Sequence, residues 1–449
     1  MPFIRSISGL RATLGDGLKP CVLAQYASSF AKMLPNKKVV IGRDGRPSGI
    51  WIEQLITGAM IATGCQVRLI GIVPTPTVQL EVEHSDAGGG IAITASHNPG
   101  QWNGMKFINS DGVFLDADEN KVLWDLVDDF QNTQLPDETY FFDPIPGKDS
   151  IQRHIKRIKE LDFIQANLSV IKKRKFKVVV DAVNSSGSFI VPELLRQFGC
   201  EVIAINCDGS GIFPHPPEPL TENLGDLAHT VQAVKADLGI AVDPDSDRLV
   251  LIDENGNPIG EEKTIALAVE SVLRTSDRRG NVVVNLSTSS MTELVAQKFG
   301  CTTLRSPVGE INVVKLMKQS GALIGGEGSG GVILPDCHYG RDALVGIALT
   351  INLLATTDRT LSQAADDLPT LSMIKLKKNF TGDLRELFEI LESKHYEQKI
   401  TLGDGIRIDF DDRWVQLRAS NTEPIIRVIA EAPNKSDAEA LAHEVLAYV

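Results

Sequence analysis

From residue 38 to about residue 355, short β-branched runs alternate with amphipathic stretches. Strands are predicted at residues 38–41, 66–72 and 90–93, with a helix at 52–63. This alternation is typical of α/β domains with largely parallel sheets. Beyond residue 400 the pattern changes to strict alternation of apolar and polar residues, which predicts a small antiparallel α+β domain. A closing helix is expected to begin at Ser436, with Glu439 completing a capping box.

The size and charge of the chain restrict its class. At 449 residues the chain is too long for one hydrophobic core and suggests three or four domains. A net charge of -13 argues against a nucleic-acid partner. No apolar run approaches the roughly 20 residues of a membrane span, and the first residues lack the layout of a signal peptide. The basic run at 172–175 is interpreted as a solvated linker before a strand.

The six cysteines, at positions 21, 65, 200, 207, 301 and 337, form no Cys-x-x-Cys pair. Cys337 and His338 have no partners at the spacing of a zinc site. Scattered thiols in a large chain predict a reduced, cytoplasmic protein.

The most informative loop follows the apolar run at 238–242. Asp243, Asp245 and Asp247 occupy alternate positions there, and Arg248 adjoins them. Like charges at this spacing repel one another unless a cation lies among them, and three oxygen ligands suffice to hold one Mg²⁺. Arg248 could bind an anion beside the metal. The alternative is a solvated acidic turn.

A second polar loop, Thr94 to Pro99, follows the strand predicted at 90–93 and is flanked by glycines. Such a turn can present the hydroxyl of Ser96, or a phosphate on it, with His97 as a hydrogen-bond partner and Lys106 as a neutralising charge. The alternative is an Asn-Pro turn with a capping serine. The turn at 42–46 either adds positive charge to the site or is an Asp-Gly turn with solvated arginines.

Two further loops suit a sugar phosphate. The glycine-rich segment 325–331 matches a dinucleotide fingerprint formally, but Pro335 follows too soon for the required helix, so Glu327 and Ser329 suit sugar hydroxyls better. A flexible glycine hairpin is the alternative. The second of these loops, at residues 418–427, places arginines, hydroxyls and an amide around one turn, which predicts a cradle for a phosphate group. The alternative is a polar hairpin loop. The members of this cradle are Arg418, Ser420, Asn421, Thr422 and Arg427.

Together these loops resemble those of the α-D-phosphohexomutase superfamily, in the same order and over nearly the whole chain. Residues 8–13 are similar to the opening element of that family, except that Ala12 replaces a usual glycine. The resemblance implies three similar α/β domains with mixed sheets and a C-terminal α+β domain around a central cleft. We place the domains at 1–147 (phosphoserine loop), 148–256 (metal loop), 257–368 (sugar loop) and 369–449 (phosphate loop).

The resemblance also implies an intramolecular phosphotransferase that interconverts hexose 6-phosphate and hexose 1-phosphate. Ser96 would carry the phosphate and, with the three aspartates, hold one Mg²⁺ per chain. Hexose 1,6-bisphosphate would be the intermediate and activator. Acid–base, charge-neutralising and phosphate-binding roles would fall to His97, Lys106, Arg11 and Arg248.

Several questions stay open at this point. The resemblance favours glucosamine phosphate as substrate, with mannose or glucose phosphate as alternatives. A magnesium-dependent sugar phosphatase and a non-catalytic sugar-phosphate sensor are the other hypotheses. The expected partners are small sugar phosphates, and the protein is expected to be a monomer or a homodimer.

Overall fold

The computed structural model describes residues 3–130, 143–419 and 425–449. The described strands form four sheets, and each sheet takes its strands from one stretch of the chain. The expected architecture of three α/β domains with mixed sheets followed by an α+β domain is confirmed. The domain limits given above stay a prediction. No helix among the described residues is long and apolar enough to cross a membrane.

The first sheet has seven strands in the order β1-β2-β6-β5-β3-β4-β7, where β5 lies between a parallel neighbour, β3, and an antiparallel one, β6. The largely parallel sheet expected from the alternation is therefore wrong for this domain, and the mixed sheet implied by the family is right. Its strands are β1 (Ile4–Ser6), β2 (Gly9–Thr13), β3 (Lys38–Arg43), β4 (Gln66–Ile72), β5 (Gly89–Ile93), β6 (Trp102–Ile108) and β7 (Ile145–Pro146). Its helices are α1 (Pro20–Met33), α2 (Ser48–Ala62), α3 (Thr75–Glu83) and α4 (Ala117–Asp128).

The second sheet has the order β11-β10-β8-β9. Its strands are β8 (Lys177–Asp181), β9 (Glu201–Ile205), β10 (Leu238–Val242) and β11 (Leu249–Ile252). Its helices are α5 (Ser150–Lys159), α6 (Asp162–Arg174), α7 (Gly187–Gln197) and α8 (Gly225–Val234). The basic run at 172–175 is not a linker, because its first three residues form the last turn of α6, where positive charge favours the helix dipole.

The third sheet has the order β13-β12-β14-β15. Its strands are β12 (Asn281–Asn285), β13 (Thr302–Ser306), β14 (Ile324–Glu327) and β15 (Gly331–Ile333). Its helices are α9 (Glu261–Thr275), α10 (Ser290–Lys298), α11 (Glu310–Ser320), α12 (Ala343–Thr357) and α13 (Leu361–Asp366). Apolar residues of the second and third units share one buried cluster, in which α12 packs against α6 and α9.

The fourth sheet is antiparallel throughout, in the order β16-β20-β19-β18-β17, and has its own apolar cluster. Its elements are β16 (Ser372–Asn379), α14 (Leu384–Lys394), β17 (Lys399–Leu402), β18 (Ile406–Asp409), β19 (Trp414–Ala419), β20 (Ile425–Ala432) and α15 (Lys435–Leu446). The predicted capping box of α15 is wrong. The side chain of Asn434 caps the helix instead, by accepting a hydrogen bond from the backbone N–H of Asp437.

Close packing of β2 against β6 gives a stability prediction. A Cβ atom added at Gly104 would lie 2.1 Å from the carbonyl oxygen of Leu10, and backbone atoms there have little room to move. We expect Gly104→Ala to cost at least about 1–3 kcal/mol of unfolding free energy. Gly58, exposed in α2 with nothing near its Cβ position, is the matched control, and Gly58→Ala should gain up to about 1 kcal/mol. Denaturant unfolding measures both, and equal stabilities would contradict the packing argument.

Candidate active site

The three aspartates of the acidic loop lie directly after β10 and are buried rather than solvated. Asp243, Asp245 and Asp247 are each at most 1% exposed, and each offers a carboxylate oxygen within 4.8 Å of the others. Hydroxyl groups of Ser185 and Ser186 hold the loop by donating to the carbonyl of Pro244 at 2.7 and 2.8 Å. The alternative of a solvated acidic turn is therefore wrong.

Ser96 joins the first domain to this loop. It follows β5 in a left-handed backbone conformation, with φ of 48°. This sharp turn of the chain lets its hydroxyl reach the second domain. The hydroxyl donates to Asp243 Oδ2 at 2.9 Å, and the backbone N–H is fixed by Thr94 Oγ1 at 2.9 Å. Residues 147 positions apart in the chain thus form one group of oxygen ligands.

These oxygen atoms suit a divalent cation. Burial and repulsion from Asp247 and Asp245 raise the pKa of Asp243 well above its ordinary value. One carboxylate oxygen each of Asp245 and Asp247 is buried with no hydrogen-bond partner in the described part of the chain. Unpartnered hard oxygen atoms close together are the ligands that Mg²⁺ prefers.

Lys106 on β6 supplies positive charge at this site. Its Nζ lies 2.6 Å from Asp245 Oδ2 and 3.1 Å from Asp247 Oδ2. Burial alone would lower the pKa of Lys106, but attraction to Asp245 and Asp247 outweighs burial and raises it. The ammonium group is therefore firmly charged, which favours charge neutralisation over a role as a base.

Arg341 is a site residue to which the sequence analysis gave no role. Its guanidinium contacts Asp247 Oδ2 at 2.6 Å, Glu327 Oε2 at 2.5 Å and Glu310 Oε2 at 3.2 Å. Although burial opposes ionisation of Asp247, attraction to Arg341 and Lys106 holds the pKa of Asp247 below its ordinary value. Arg341 follows the sugar loop closely in the chain, and that position was the only sequence signal available.

His97 is held neutral. Burial and the nearby charges of Arg248 and Arg11 lower the pKa of His97 to about 2. Its Nδ1 lies 3.3 Å from Ser96 Oγ, so the imidazole can donate a hydrogen bond to that oxygen or accept one from it. Arg11 donates to Asn98 in the same loop at 3.1 Å, and the backbone N–H of Arg248 donates to Asp243 at 3.2 Å. The structure thus gathers all five residues expected to take catalytic roles.

The turn after β3 supports the serine loop from behind. Asp44 and Arg46 are buried and form an ion pair. Arg46 is therefore not a solvated arginine, and its charge is offset by Asp44 rather than added to the site. Arg46 donates to the carbonyl oxygen of Ser96 at 2.7 Å, and Asp44 accepts from Thr94 Oγ1 at 2.7 Å. This buried pair fixes the sharp turn at Ser96.

Glu327 is oriented at the end of β14. Its Oε1 accepts from Asn285 Nδ2 at 2.7 Å and from the backbone N–H of Gly309 at 3.0 Å. Burial would raise the pKa of Glu327, but Arg341 and these hydrogen bonds lower it, so the carboxylate stays ionised. Ser329 lies half-buried in the turn between β14 and β15.

The phosphate loop is partly described. Ser420, Asn421 and Thr422 lie outside the described residues. Arg418 on β19 and Arg427 on β20 are directly opposite one another, an arrangement that costs free energy unless negative charge lies between the two side chains. Asp404 pairs with Arg418 at 3.0 Å, whereas Arg427 Nε is buried with no hydrogen-bond partner among the described residues. Arg427 therefore keeps a donor available for an anion, whereas the charge of Arg418 is already paired with Asp404.

Comparison with known proteins identifies this architecture. Four family models, phosphoglucomutase/phosphomannomutase α/β/α domains I, II and III and the C-terminal domain, match residues 4–133, 152–256, 261–371 and 375–447. The chain belongs to the phosphoglucomutase/phosphomannomutase family.

Relatives cover the whole architecture. A phosphoglucomutase/phosphomannomutase of Thermococcus kodakarensis is 36% identical, over 96% of this chain and 94% of its own. A phosphoglucosamine mutase of Methanococcus vannielii is 31% identical, over 93% of each chain. A crystal structure of a phosphoglucomutase/phosphomannomutase family protein from Burkholderia thailandensis superposes with a TM-score of 0.82 at 24% identity, over 99% of this chain and 97% of the other.

Arg341 carries a stability prediction for this phosphohexomutase. Arg341→Met leaves three buried carboxylates without their shared partner, so we expect a loss of about 3–5 kcal/mol of unfolding free energy. Arg385→Met is the control, because that side chain is 89% exposed and should cost less than about 0.5 kcal/mol. Denaturant unfolding compares the two variants, and a similar small cost for both would refute a central role for Arg341.

Glu262 at the start of α9 gives a pH prediction. Burial raises the pKa of Glu262 from 4.5 to about 7, although Lys375 of the fourth domain partly opposes this. Because the folded pKa is the higher one, the stabilising proton is fully bound below pH 4.5 and is lost as the pH rises through about 7.

The stability of the wild type relative to Glu262→Gln should therefore fall between about pH 5 and pH 8. Thermal unfolding across this range measures the trend. Glu261→Gln is the control, because Glu261 contacts the same lysine but is 29% exposed. A pH-independent difference between wild type and Glu262→Gln would contradict the assignment.

Proposed function

We propose that this phosphohexomutase interconverts hexose 6-phosphate and hexose 1-phosphate through a phosphoserine at Ser96 and a hexose 1,6-bisphosphate intermediate. The observation that carries the proposal is the hydrogen bond between Ser96 Oγ and Asp243 Oδ2, 2.9 Å long, beside two further buried aspartates. It brings a nucleophilic oxygen and the ligands for a cation to one point.

Ser96, Asp243, Asp245 and Asp247 are the residues that would hold Mg²⁺. Bound there, the cation offsets the charge of the transferring phosphoryl group. A relative of similar fold, the N-acetylphosphoglucosamine mutase of Aspergillus fumigatus, has been solved in complex with GlcNAc-6P and magnesium, at a TM-score of 0.61.

The phosphoryl group is exchanged between two oxygen atoms. The bond from phosphorus to Ser96 Oγ breaks, a bond to the sugar hydroxyl oxygen forms, and the hydroxyl proton ends on Ser96 Oγ. Lys106 is charged and neutralises the phosphoryl oxygens, whereas His97, with its low pKa, acts as a hydrogen-bond partner rather than a strong base. The second half of the reaction reverses these changes at the other end of the sugar.

The remaining loops orient the sugar phosphate. Glu327 and Ser329 bind sugar hydroxyls, and Arg418, Ser420, Asn421, Thr422 and Arg427 bind the phosphate that is not reacting. Arg11 and Arg248 contact the phosphoserine and the substrate. The opposed arginines support this assignment, because Arg427 Nε is buried without a hydrogen-bond partner in the described chain and an anion between the two side chains would offset their repulsion.

Glucosamine phosphate is the substrate that we favour, with mannose or glucose phosphate as the alternative. The relative from Methanococcus vannielii is named phosphoglucosamine mutase, and the one from Thermococcus kodakarensis is named for glucose and mannose. Initial rates measured with glucosamine 6-phosphate, mannose 6-phosphate and glucose 6-phosphate show which of the three sugars is the preferred substrate. A faster rate with either neutral sugar would overturn the glucosamine assignment.

Ser96→Ala tests the mechanism directly. We expect it to lose mutase activity by at least about a thousandfold, because the phosphoryl carrier is gone. Ser29→Ala, which removes a buried hydroxyl without a hydrogen-bond partner in the described chain, should keep full activity. Intact-mass measurement and peptide mapping should locate one phosphate on Ser96 of the active protein.

Other outcomes favour the remaining hypotheses. Release of inorganic phosphate without isomerisation would favour a sugar phosphatase. Tight binding of sugar phosphate with no turnover, and no phosphate acquired from hexose 1,6-bisphosphate with Mg²⁺, would favour a sensor.

A further inference from the structure

A second cluster of metal-binding side chains lies outside the candidate active site. His154, Cys337, His338 and Asp342 each offer one ligand atom, and these atoms all lie within 4.8 Å of one another. None of the four residues is more than 1% exposed. The sequence alone showed no zinc spacing, because His154 lies 188 positions before Asp342 and only the fold brings them together.

Both imidazoles converge on one carboxylate oxygen. Asp342 Oδ2 lies 2.7 Å from His154 Nε2 and 3.1 Å from His338 Nε2. The other oxygen of Asp342 accepts from the backbone N–H of Leu344 at 2.8 Å and caps α12. The carboxylate is thus anchored on one side, and its second oxygen is directed into the cluster.

The surroundings of the two histidines suit metal ligation. Thr77 Oγ1 lies 2.8 Å from His154 Nδ1, on the ring side opposite Asp342. When Nδ1 donates to this hydroxyl, the lone pair of Nε2 is left free for a metal, an outer-shell hydrogen bond common in metal sites. His338 Nδ1 is buried without a hydrogen-bond partner among the described residues, so only one of the two ring nitrogens of His338 has a described partner.

We propose that His154, Cys337, His338 and Asp342 form a structural site for a zinc-class divalent cation. Two nitrogen atoms, one sulfur atom and one oxygen atom are a ligand set for zinc, whereas the all-oxygen acidic loop suits magnesium. Ligand bonds of about 2.0–2.3 Å would place tetrahedral ligand atoms roughly 3.3–3.8 Å apart, so the two short imidazole contacts would open by less than an ångström.

Charge balance supports the same assignment. On binding, the thiol of Cys337 loses its proton to solvent and a metal–sulfur bond forms, with no change of oxidation state. The charges of the cation, the thiolate and the Asp342 carboxylate then sum to zero with both histidines neutral. A buried neutral site avoids the large cost of an unpaired buried charge.

The cluster lies where three domains meet. His154 is on α5 of the second domain, Thr77 is on α3 of the first, and the other three ligands precede α12 of the third. Asp342 directly follows Arg341, whose guanidinium contacts Asp247 in the acidic loop. The cation would therefore fix the start of α12 and hold Arg341 in place.

Metal content tests the site in the full-length protein. After incubation with Zn²⁺ and gel filtration, we expect the wild type to retain about one zinc per chain by mass spectrometry of the metal. Cys337→Ser and His338→Gln should lose most of it. Cys301→Ser, at a buried thiol outside the cluster, and Asp243→Asn, in the acidic loop, should both retain it.

A spectroscopic readout keeps the test independent of variant folding. Wild-type protein loaded with Co²⁺ should show a thiolate-to-cobalt absorption band in the near ultraviolet, and Cys301→Ser should show the same band. Removal of zinc with a chelator should lower the Tm of the wild type.

The proposal is overturned if the wild type retains no zinc and shows no cobalt–thiolate band. It is also overturned if Cys301→Ser or Asp243→Asn loses the metal while Cys337→Ser keeps it. The cluster is then a hydrogen-bonded polar network alone. None of these outcomes depends on mutase activity, so they are distinguishable from failure of the proposed function.

Discussion

The repulsion among three buried aspartates is the constraint on which the site is built. Asp243, Asp245 and Asp247 lie together with almost no access to water, and this arrangement is costly unless opposite charge is close. The first domain supplies Lys106 and the third supplies Arg341, so the charges that stabilise the loop come from both of its neighbours. Assembly of the three domains is therefore energetically coupled to formation of the acidic loop.

The connection between β15 and α12 shows how a short segment serves two polar networks. Arg341 extends to the acidic loop and the sugar loop, whereas Asp342, the next residue, extends to His154 and His338. A displacement of this segment would disturb both networks at once. The proposed zinc site thus acts on the reaction centre through the position of Arg341, which is a role in positioning rather than in catalysis.

The sequence predicted what is local and missed what depends on distant contacts. The loops containing Ser96, Asp243 and Glu327 were found because polar residues follow apolar strands, a pattern carried by neighbouring residues. The burial of Arg46 behind Ser96 was missed, because an Asp-Gly turn looks the same in sequence whether it is solvated or covered by Ser185 and Phe213 of the second domain. The cap at Asn434 was missed for a different reason: two residues close together could both cap the helix, and only backbone geometry chooses between them.

The fourth domain differs from the others in how it is attached. Its apolar cluster contains only its own residues, whereas the second and third domains share one. Leu371, at its start, packs against that shared cluster. Its polar contacts with the third domain include Lys375 with Glu261 and Glu262, Ser287 with Gln416, and the backbone of Ser290 with Glu431. Separating a shared apolar core exposes apolar surface to water, whereas an ion pair of an exposed group such as Lys375 is replaced by water at smaller cost. In the proposed mechanism a bisphosphate presents each of its ends in turn to Ser96, which requires a phosphate-binding loop that can release the ligand and bind it again. A domain whose apolar cluster is its own suits that requirement better than the second and third domains, which share one cluster.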